Sequence, residues 1–506
     1  MDWTRERRYT QLEDVSQEDL KILKNKVDAS PWRQSFHIQP ETGLLNDPNG
    51  FSYFNGEYHL FYQWFPLGPV HGLKYWYHTK SEDLVHWENV GVGITPGDYF
   101  DSHGAYSGSA IEHDEKLYLM YTGNTRDEKW VRHPYQALAV MGKDGAISKM
   151  KPAIEEVPEG YTDHFRDPKV WKEDGRFWSV IGAQRTEETG CVVLYSSVDF
   201  IKWQFEGELK TNLESFGYMW ECPDYFEQDG RGVLIFSPQG IEPQGDSYQN
   251  IYQSGYLLGE PLNLEDRFFE HEGFAELDRG FDFYAPQTMI DPSGRRILVG
   301  WMGLPEIEYP TDAHGWAHCL TIPRELTVKG SKLIQQPVNE LAILRGKEER
   351  AAGLLRDETR TFEGFNGVTY EMISEFDNVD ASEFGVEIRT GENERTVISY
   401  DASAQKVVVD RSESGEAFAE KYGTTRKCKV ASGKIKFHLF VDVSSVELFV
   451  NDGEEVFTCR IFPGEGSDGI RFFAKEGSAR FEAVKWDYQA KMGKGSEANG
   501  HAVFNR

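Results

Sequence analysis

Phe51-Ser52-Tyr53-Phe54-Asn55-Gly56-Glu57-Tyr58-His59-Leu60-Phe61-Tyr62-Gln63 reads as two alternating aromatic and aliphatic runs joined by Asn-Gly. Such a dipeptide between alternating runs is the strongest short-range signal for a β-hairpin, because a type I′ turn needs positive φ at both central residues. The same design returns four times: Ala110 to Asn124 turning near Asp114, Lys169 to Gln184 at Asp174-Gly175, Tyr225 to Gln239 at Asp229-Gly230, and Thr288 to Met302 at Ser293-Gly294. Successive turns lie roughly 55 to 65 residues apart, longer than common blade repeats by the length of extra loops. Five such units predict an all-β fold whose first part is a five-bladed β-propeller over residues 33–335, since radial repetition protects open sheet edges. A β-sandwich is the alternative on the repeat alone. Ser81-Glu82-Asp83-Leu84-Val85-His86-Trp87 is echoed by Ser197-Val198-Asp199-Phe200-Ile201-Lys202-Trp203, and both are expected on outer strands of their blades.

The rest of the chain reads differently. At 506 residues it is too long for one ordinary core. After a linker or return strand within 336–358, short β-branched and aromatic runs follow, among them Val397–Tyr400, Lys406–Val409, Ile435–Val441 and Val446–Val450. These predict a β-sandwich over 359–490, followed by a polar, mobile tail over 491–506. Residues 1–32 form a charged N-terminal segment without the apolar core of a secretory signal, and no apolar run is long enough to span a bilayer. With 83 acidic against 54 basic residues, the net charge of −29 repels nucleic acid and anionic membranes. Cys191, Cys222, Cys319, Cys428 and Cys459 are widely spaced and form no C-x-x-C pair. They read as reduced thiols, and the chain as a soluble protein of the cytosol.

Upstream of each hairpin turn, by about seven to nine residues, lies a segment unlike ordinary strand sequence. In order these are Asn46-Asp47-Pro48-Asn49-Gly50, Tyr106-Ser107-Gly108-Ser109, Arg166-Asp167-Pro168, Trp220-Glu221-Cys222-Pro223-Asp224 and Phe283-Tyr284-Ala285-Pro286. Inner propeller strands face a central channel, so three of the five are expected to aim a carboxylate from a shared position at one axis. An Asp before Pro is often only a turn former. Three acids at equivalent places are another matter, because their repulsion and desolvation suit a site that needs divergent pKa values. Glycoside hydrolysis is such chemistry: one carboxyl gives a proton to the leaving oxygen while another attacks or activates water.

His37-Ile38-Gln39-Pro40 with Gly43-Leu44-Leu45-Asn46-Asp47-Pro48-Asn49-Gly50, then Phe165-Arg166-Asp167-Pro168, then Trp220-Glu221-Cys222-Pro223, resemble in order and spacing the three signatures of the invertase family of glycoside hydrolases, family 32. The resemblance covers about the first 335 residues. It implies a propeller followed by a sandwich, net retention by double displacement, and neither metal nor organic cofactor. By resemblance Asp47 is the nucleophile, Asp167 the transition-state stabiliser and Glu221 the acid and base. It further marks Leu45, Asn46, Gln63, Trp64, Trp76, Tyr106, Ser107, Arg166, Tyr284 and Trp301 as sugar-binding positions. Amides and hydroxyls suit sugar hydroxyls, and aromatic faces suit the apolar side of a ring, although a buried Trp is more often core. Physical chemistry adds two expectations: Glu221 near Asp47 keeps its proton, and Arg166 holds Asp167 ionised. Tyr77 stands where many relatives carry a small residue, which affects the wall on the leaving-group side. His71, His78 and His103 lack metal-ligand spacing and read as structural or substrate-side.

Gln63-Trp64-Phe65-Pro66 and Phe100-Asp101-Ser102-His103-Gly104 are similar to the cytosolic sucrose and sucrose-6-phosphate hydrolases of that family. The expected partner is a small sugar: sucrose, sucrose-6-phosphate or a short fructo-oligosaccharide. A phosphate would need cations at the pocket mouth, for which Lys74, Lys129 and Arg132 are candidates. The rival readings are an inverting furanosidase, a fructosyltransferase and a non-catalytic sugar-binding propeller. The number of subunits stays open.

Overall fold

The computed structural model describes residues 2–489. The tail expected over 491–506 lies outside the described residues. Five four-stranded antiparallel meanders follow one another along the chain, as the repeat predicted. Their inner strands are Gly43–Phe54, Ala105–His113, Tyr161–Glu173, Met219–Gln228 and Tyr284–Ile290. Each pairs across its turn with Glu57–Phe65, Lys116–Arg126, Arg176–Arg185, Arg231–Gln239 or Arg296–Met302 respectively. At Asn55-Gly56, Asp174-Gly175 and Asp229-Gly230 both central residues have positive φ, as type I′ turns require. The fifth turn is built otherwise: Gly294 alone is left-handed, and Asp291 caps the loop by accepting from the N–H groups of Ser293 and Arg295. The ring closes where Trp316–Ala317, beyond the fifth inner hairpin, pairs in parallel with Gly43 and Leu44 at the start of the first.

The echoed heptads are turns between third and fourth strands rather than outer strands. Asp83 accepts from the N–H groups of Val85 and His86, and Trp87 donates to the Leu84 carbonyl. Asp199 does the same for Ile201 and Lys202, and Trp203 donates to Phe200. Leu84 and Phe200 share a φ of 65°. The similarity therefore reflects a capped turn with a Trp lid, not strand periodicity.

The second unit is a nearly closed β-sandwich. The strand Gly469–Tyr488 joins its layers, pairing first with Glu383–Thr390 and then with Tyr370–Asn378. All four runs singled out in the sequence lie in its strands. The stretch read as a linker is more ordered than expected: 3-10 turn Asn339–Leu344 leads directly into strand Arg345–Arg360, which pairs along Gly469–Tyr488. Its side chains are mostly exposed polar ones, which hid the strand from a reading based on hydrophobic period.

Buried charges fasten the sandwich to the propeller. His37 contacts Asp442 at 2.7 Å and Glu447 at 2.9 Å, and Arg324 pairs with Glu447 at 2.6 Å and Asp278 at 3.2 Å. The N-terminal segment is not loose: helix Gln17–Asp28 buries Leu20 and Val27, and Arg8 binds the His71 carbonyl at 2.8 Å. No helix among the described residues is long and apolar enough to cross a membrane.

Candidate active site

All five inner strands break register at the same level, with irregularities between Asn46 and Pro48, Ala105 and Gly108, Glu221 and Asp224, Tyr284 and Gln287, and opposite Arg166 in the third blade. A bulge inserts unpaired residues and re-aims side chains. Asp167, Cys222 and Ala285, each preceding a proline, have φ of 69°, 50° and 48°. The prolines fit because a bulged residue gives up its ladder hydrogen bond. This repeated break carries the chain's acids into the channel.

The three acids do meet, but not from one shared position. Asp47 and Asp167 stand immediately before proline, where the fourth blade has Cys222. Glu221 stands one residue earlier, in the place that Asn46, Arg166 and Tyr284 hold in their blades. Neighbours on a strand point in different directions, so the two sets form two facing groups. Oxygens of Asp47 and Asp167 and the sulfur of Cys222 lie within 4.8 Å of one another. The Cys222 backbone N–H donates to Asp167 at 3.0 Å, and its Sγ lies 3.5 Å from Asp47 and 3.6 Å from Asp167. In the other group Arg166 donates to Glu221 Oε1 at 2.7 and 2.9 Å, while Tyr284 and Gln239 donate to Oε2 at 2.6 and 3.0 Å.

Asp47 is held from several sides. Ser107 and Gln63 donate to Oδ2, Asn46 donates to Oδ1, and buried Lys74 donates to the Asn46 side-chain oxygen at 2.7 Å. Burial pushes the Asp47 pKa up, the Ser107 hydrogen bond opposes this, and Glu221 adds to the rise. Asp167 is likewise raised, by burial first and by Glu221 next, against the pull of Arg166. The expectation that Arg166 would pin Asp167 as its ionic partner is corrected here: the guanidinium reaches across to the next blade and pairs with Glu221. The left-handed backbone at Asp167 turns adjacent side chains toward different walls. Beneath the acids, a cavity of about 10 Å³ is lined by Asp167, Lys169, Cys222, Asp224 and Gln287 among others. Lys169 pairs there with Asp224 at 3.3 Å, and Gln287 bridges Phe51 and Gly108, knitting the inner strands together.

The remaining sequence candidates divide. Asn46, Gln63, Ser107, Arg166 and Tyr284 touch the acids, and Tyr106 lies on the rim, accepting from Asn124 at 3.2 Å. Leu45, Trp64 and Trp76 do not reach the channel as surfaces: they are 0, 1 and 0 % exposed. Trp64 donates to Thr42 and Trp76 to the Tyr106 carbonyl, so both brace the wall from behind. Trp301 is also buried, packed between Tyr284, His71 and His318, and its N–H has no partner among the described residues. Tyr77 stacks on Tyr62 inside the first blade, so its bulk falls in the core. His78 contacts His59 at 2.9 Å, and His103 packs with Tyr9 and Trp130 at the rim. Sequence motifs do not mark Cys222 or Gln239 as site residues, nor Thr122, whose hydroxyl accepts from the Asp167 N–H at 2.9 Å, nor His164, 3.0 Å from Arg166. Aligning the blades on proline would have exposed Cys222 beside Asp47 and Asp167.

Family models meet this geometry over nearly its whole length. Residues 37–337 match the glycosyl hydrolases family 32 N-terminal domain, and residues 340–487 match the family 32 C-terminal domain. The chain belongs to glycosyl hydrolase family 32. It is 49 % identical to a sucrose-6-phosphate hydrolase of Staphylococcus xylosus, covering 96 % of this chain and 98 % of that one. Among solved structures, sucrose-6-phosphate hydrolase from Lactobacillus gasseri superimposes with a TM-score of 0.90 at 39 % identity, over 97 % of this chain and 100 % of its own. A β-fructofuranosidase of the same family from Bombyx mori, in a mutant form complexed with sucrose, gives 0.81 at 34 % identity over 94 and 99 %. This family 32 chain is therefore a glycoside hydrolase. Its signature residue His37 serves the contact between propeller and sandwich rather than the channel.

Proposed function

We propose that the chain cleaves the fructosyl–glucosyl bond of sucrose and sucrose-6-phosphate, with Asp47 as nucleophile, Glu221 as acid and base, and Asp167 bound to the fructosyl hydroxyls. The convergence of these acids on one end of the propeller channel carries the reading, and the relatives named sucrose-6-phosphate hydrolases support it. Asp47 attacks the anomeric carbon as the carbon–oxygen bond breaks, and the Glu221 proton passes to the leaving oxygen. Glu221 then takes a proton from water, whose oxygen displaces Asp47 and restores the original anomeric configuration. Ser107, Gln63 and Asn46 fix the Asp47 oxygens and offset the cost of burying its charge. Tyr284 and Gln239 occupy Glu221 Oε2, which leaves Oε1, now held by Arg166, to exchange partners as the leaving oxygen arrives. Five cysteines without a disulfide among the described residues suit a reducing cytosol.

Purified Asp47→Asn and Glu221→Gln are expected to lower kcat by about a thousandfold or more with little change in melting temperature. NMR of the first-formed fructose should show the substrate's anomer. Undiminished kcat in either variant, or an inverted product, refutes the role given to that carboxylate.

A further inference from the structure

At the open end of the hairpin formed by Lys116–Arg126 and Arg132–Met141, Arg126 sits directly opposite Arg132. Like charges facing across a strand pair destabilise it. In a chain with 83 acidic residues, neither arginine has a carboxylate within 4.0 Å among the described residues. The Nε of each is buried without a hydrogen-bond partner among the described residues. The acid of the connecting turn, Asp127, is occupied by the backbone N–H groups of Lys129 and Val131. Arg126 spends one donor on the Trp130 carbonyl at 3.2 Å. Two guanidinium groups kept together and unpaired are costly unless an anion joins them.

The pair stands beside the machinery, linked to Glu221, the proposed acid, through His164 and Arg166. Arg132 Nη1 lies 3.4 Å from His164 Nδ1, which lies 3.0 Å from Arg166 Nη1, and Arg166 holds Glu221. Burial, then Arg166 and Arg132, lower the His164 pKa to about 4, so its nitrogen serves as a neutral acceptor between two cations. The rim is completed by Trp130, which carries Arg5 4.1 Å over its ring and packs against Tyr9 and His103. Of the cations considered in the sequence, Lys74 is buried under Asn46 and so is excluded, while Lys129 is an exposed turn residue.

We propose that Arg126 and Arg132 form a phosphate subsite that grips the 6-phosphate of the glucose that departs as Glu221 protonates its glycosidic oxygen. This rests on the assignment of Glu221 as the acid. A phosphomonoester dianion offers the forked acceptors that two guanidinium groups match. Charge on that sugar would thus be read next to the bond that breaks, while the fructosyl ring is read by the acids.

The test compares wild type, Arg126→Met and Arg132→Met with sucrose and sucrose-6-phosphate. Each substitution is expected to lower the ratio of kcat/KM for the phosphorylated over the plain substrate by about ten-fold or more, the worth of a charge-assisted hydrogen bond. The change should lie mainly in KM, and melting temperature should hold or rise because a repulsion is removed. A ratio unchanged within about two-fold, or an equal loss for both substrates, overturns the subsite. Calorimetric titration with glucose 6-phosphate needs no turnover, so it separates a failed subsite from a failed assignment of Glu221. Binding of glucose 6-phosphate to wild type that weakens in both variants supports the proposal. Inorganic phosphate binding as tightly as the sugar phosphate would overturn it in favour of a free-anion site.

Discussion

Replacing His37 by Gln should destabilise the protein in neutral solution and much less in alkaline solution. Both ring nitrogens of this buried side chain contact acids of the sandwich, Asp442 at 2.7 Å and Glu447 at 2.9 Å. Burial alone would lower its pKa, but the hydrogen bonds and charges of the two carboxylates prevail and raise it from 6.5 to about 9. A pKa raised in the folded state stabilises fully below the unfolded value and stops doing so as pH passes the folded one. Between pH about 6 and pH about 9.5 the imidazolium should therefore withdraw roughly 3 kcal/mol, at about 1.4 kcal/mol per pKa unit. For a chain of this length that corresponds to about 3 °C in a cooperative melt. Melting curves of wild type and His37→Gln at both pH values provide the assay, and titrations common to both proteins cancel in the difference. A gap between the two proteins that is as large at the higher pH as at the lower would refute the charged clamp.

Further outcomes follow from the site. Cys222 lies between Asp47 and Asp167, and burial followed by those two acids raises its thiol pKa well above the usual value. Iodoacetamide near pH 8 should therefore leave activity intact, and rapid inactivation traced by peptide mapping to Cys222 would contradict this. Trp76→Ala should cost about 3 to 5 kcal/mol of stability, as expected for a buried aromatic, before it alters sugar recognition. Denaturant titration with parallel KM measurements checks this, and a raised KM at unchanged stability would return Trp76 to the pocket wall. Gly108→Val should prevent proper assembly of the second blade, because a Cβ there would collide with the Met120 carbonyl oxygen. Circular dichroism matching wild type would refute that.

Much of the architecture was legible because every blade opens on a hairpin, and three of the five close it with the same local device. Asn55-Gly56, Asp174-Gly175 and Asp229-Gly230 have no comfortable alternative to a tight hairpin turn, so the blades could be counted. What was not legible depended on register. Glu221 stands one place before the pre-proline position of Asp47 and Asp167, but only the folded, bulged inner strands bring Arg166 across to pair with it. Burial of Trp64 and Trp76 is likewise a tertiary matter, since a strand's period shows which residues share a face but not whether that face meets solvent. Arg132 was a candidate in the sequence, but its pairing with Arg126 was not legible: the two become neighbours only through strand pairing, and the lack of a carboxylate within 4.0 Å of either, among the described residues, is a property of the folded surface.

The most direct measurement is mass spectrometry of a Glu221→Gln variant quenched during reaction with a fructosyl donor whose leaving group needs no protonation. With the base lost, the second displacement slows and the first product should accumulate as one fructosyl residue esterified to the peptide containing Asp47. Release of the leaving group with no adduct on the protein, or an adduct on any other carboxylate, would contradict Asp47 as the nucleophile.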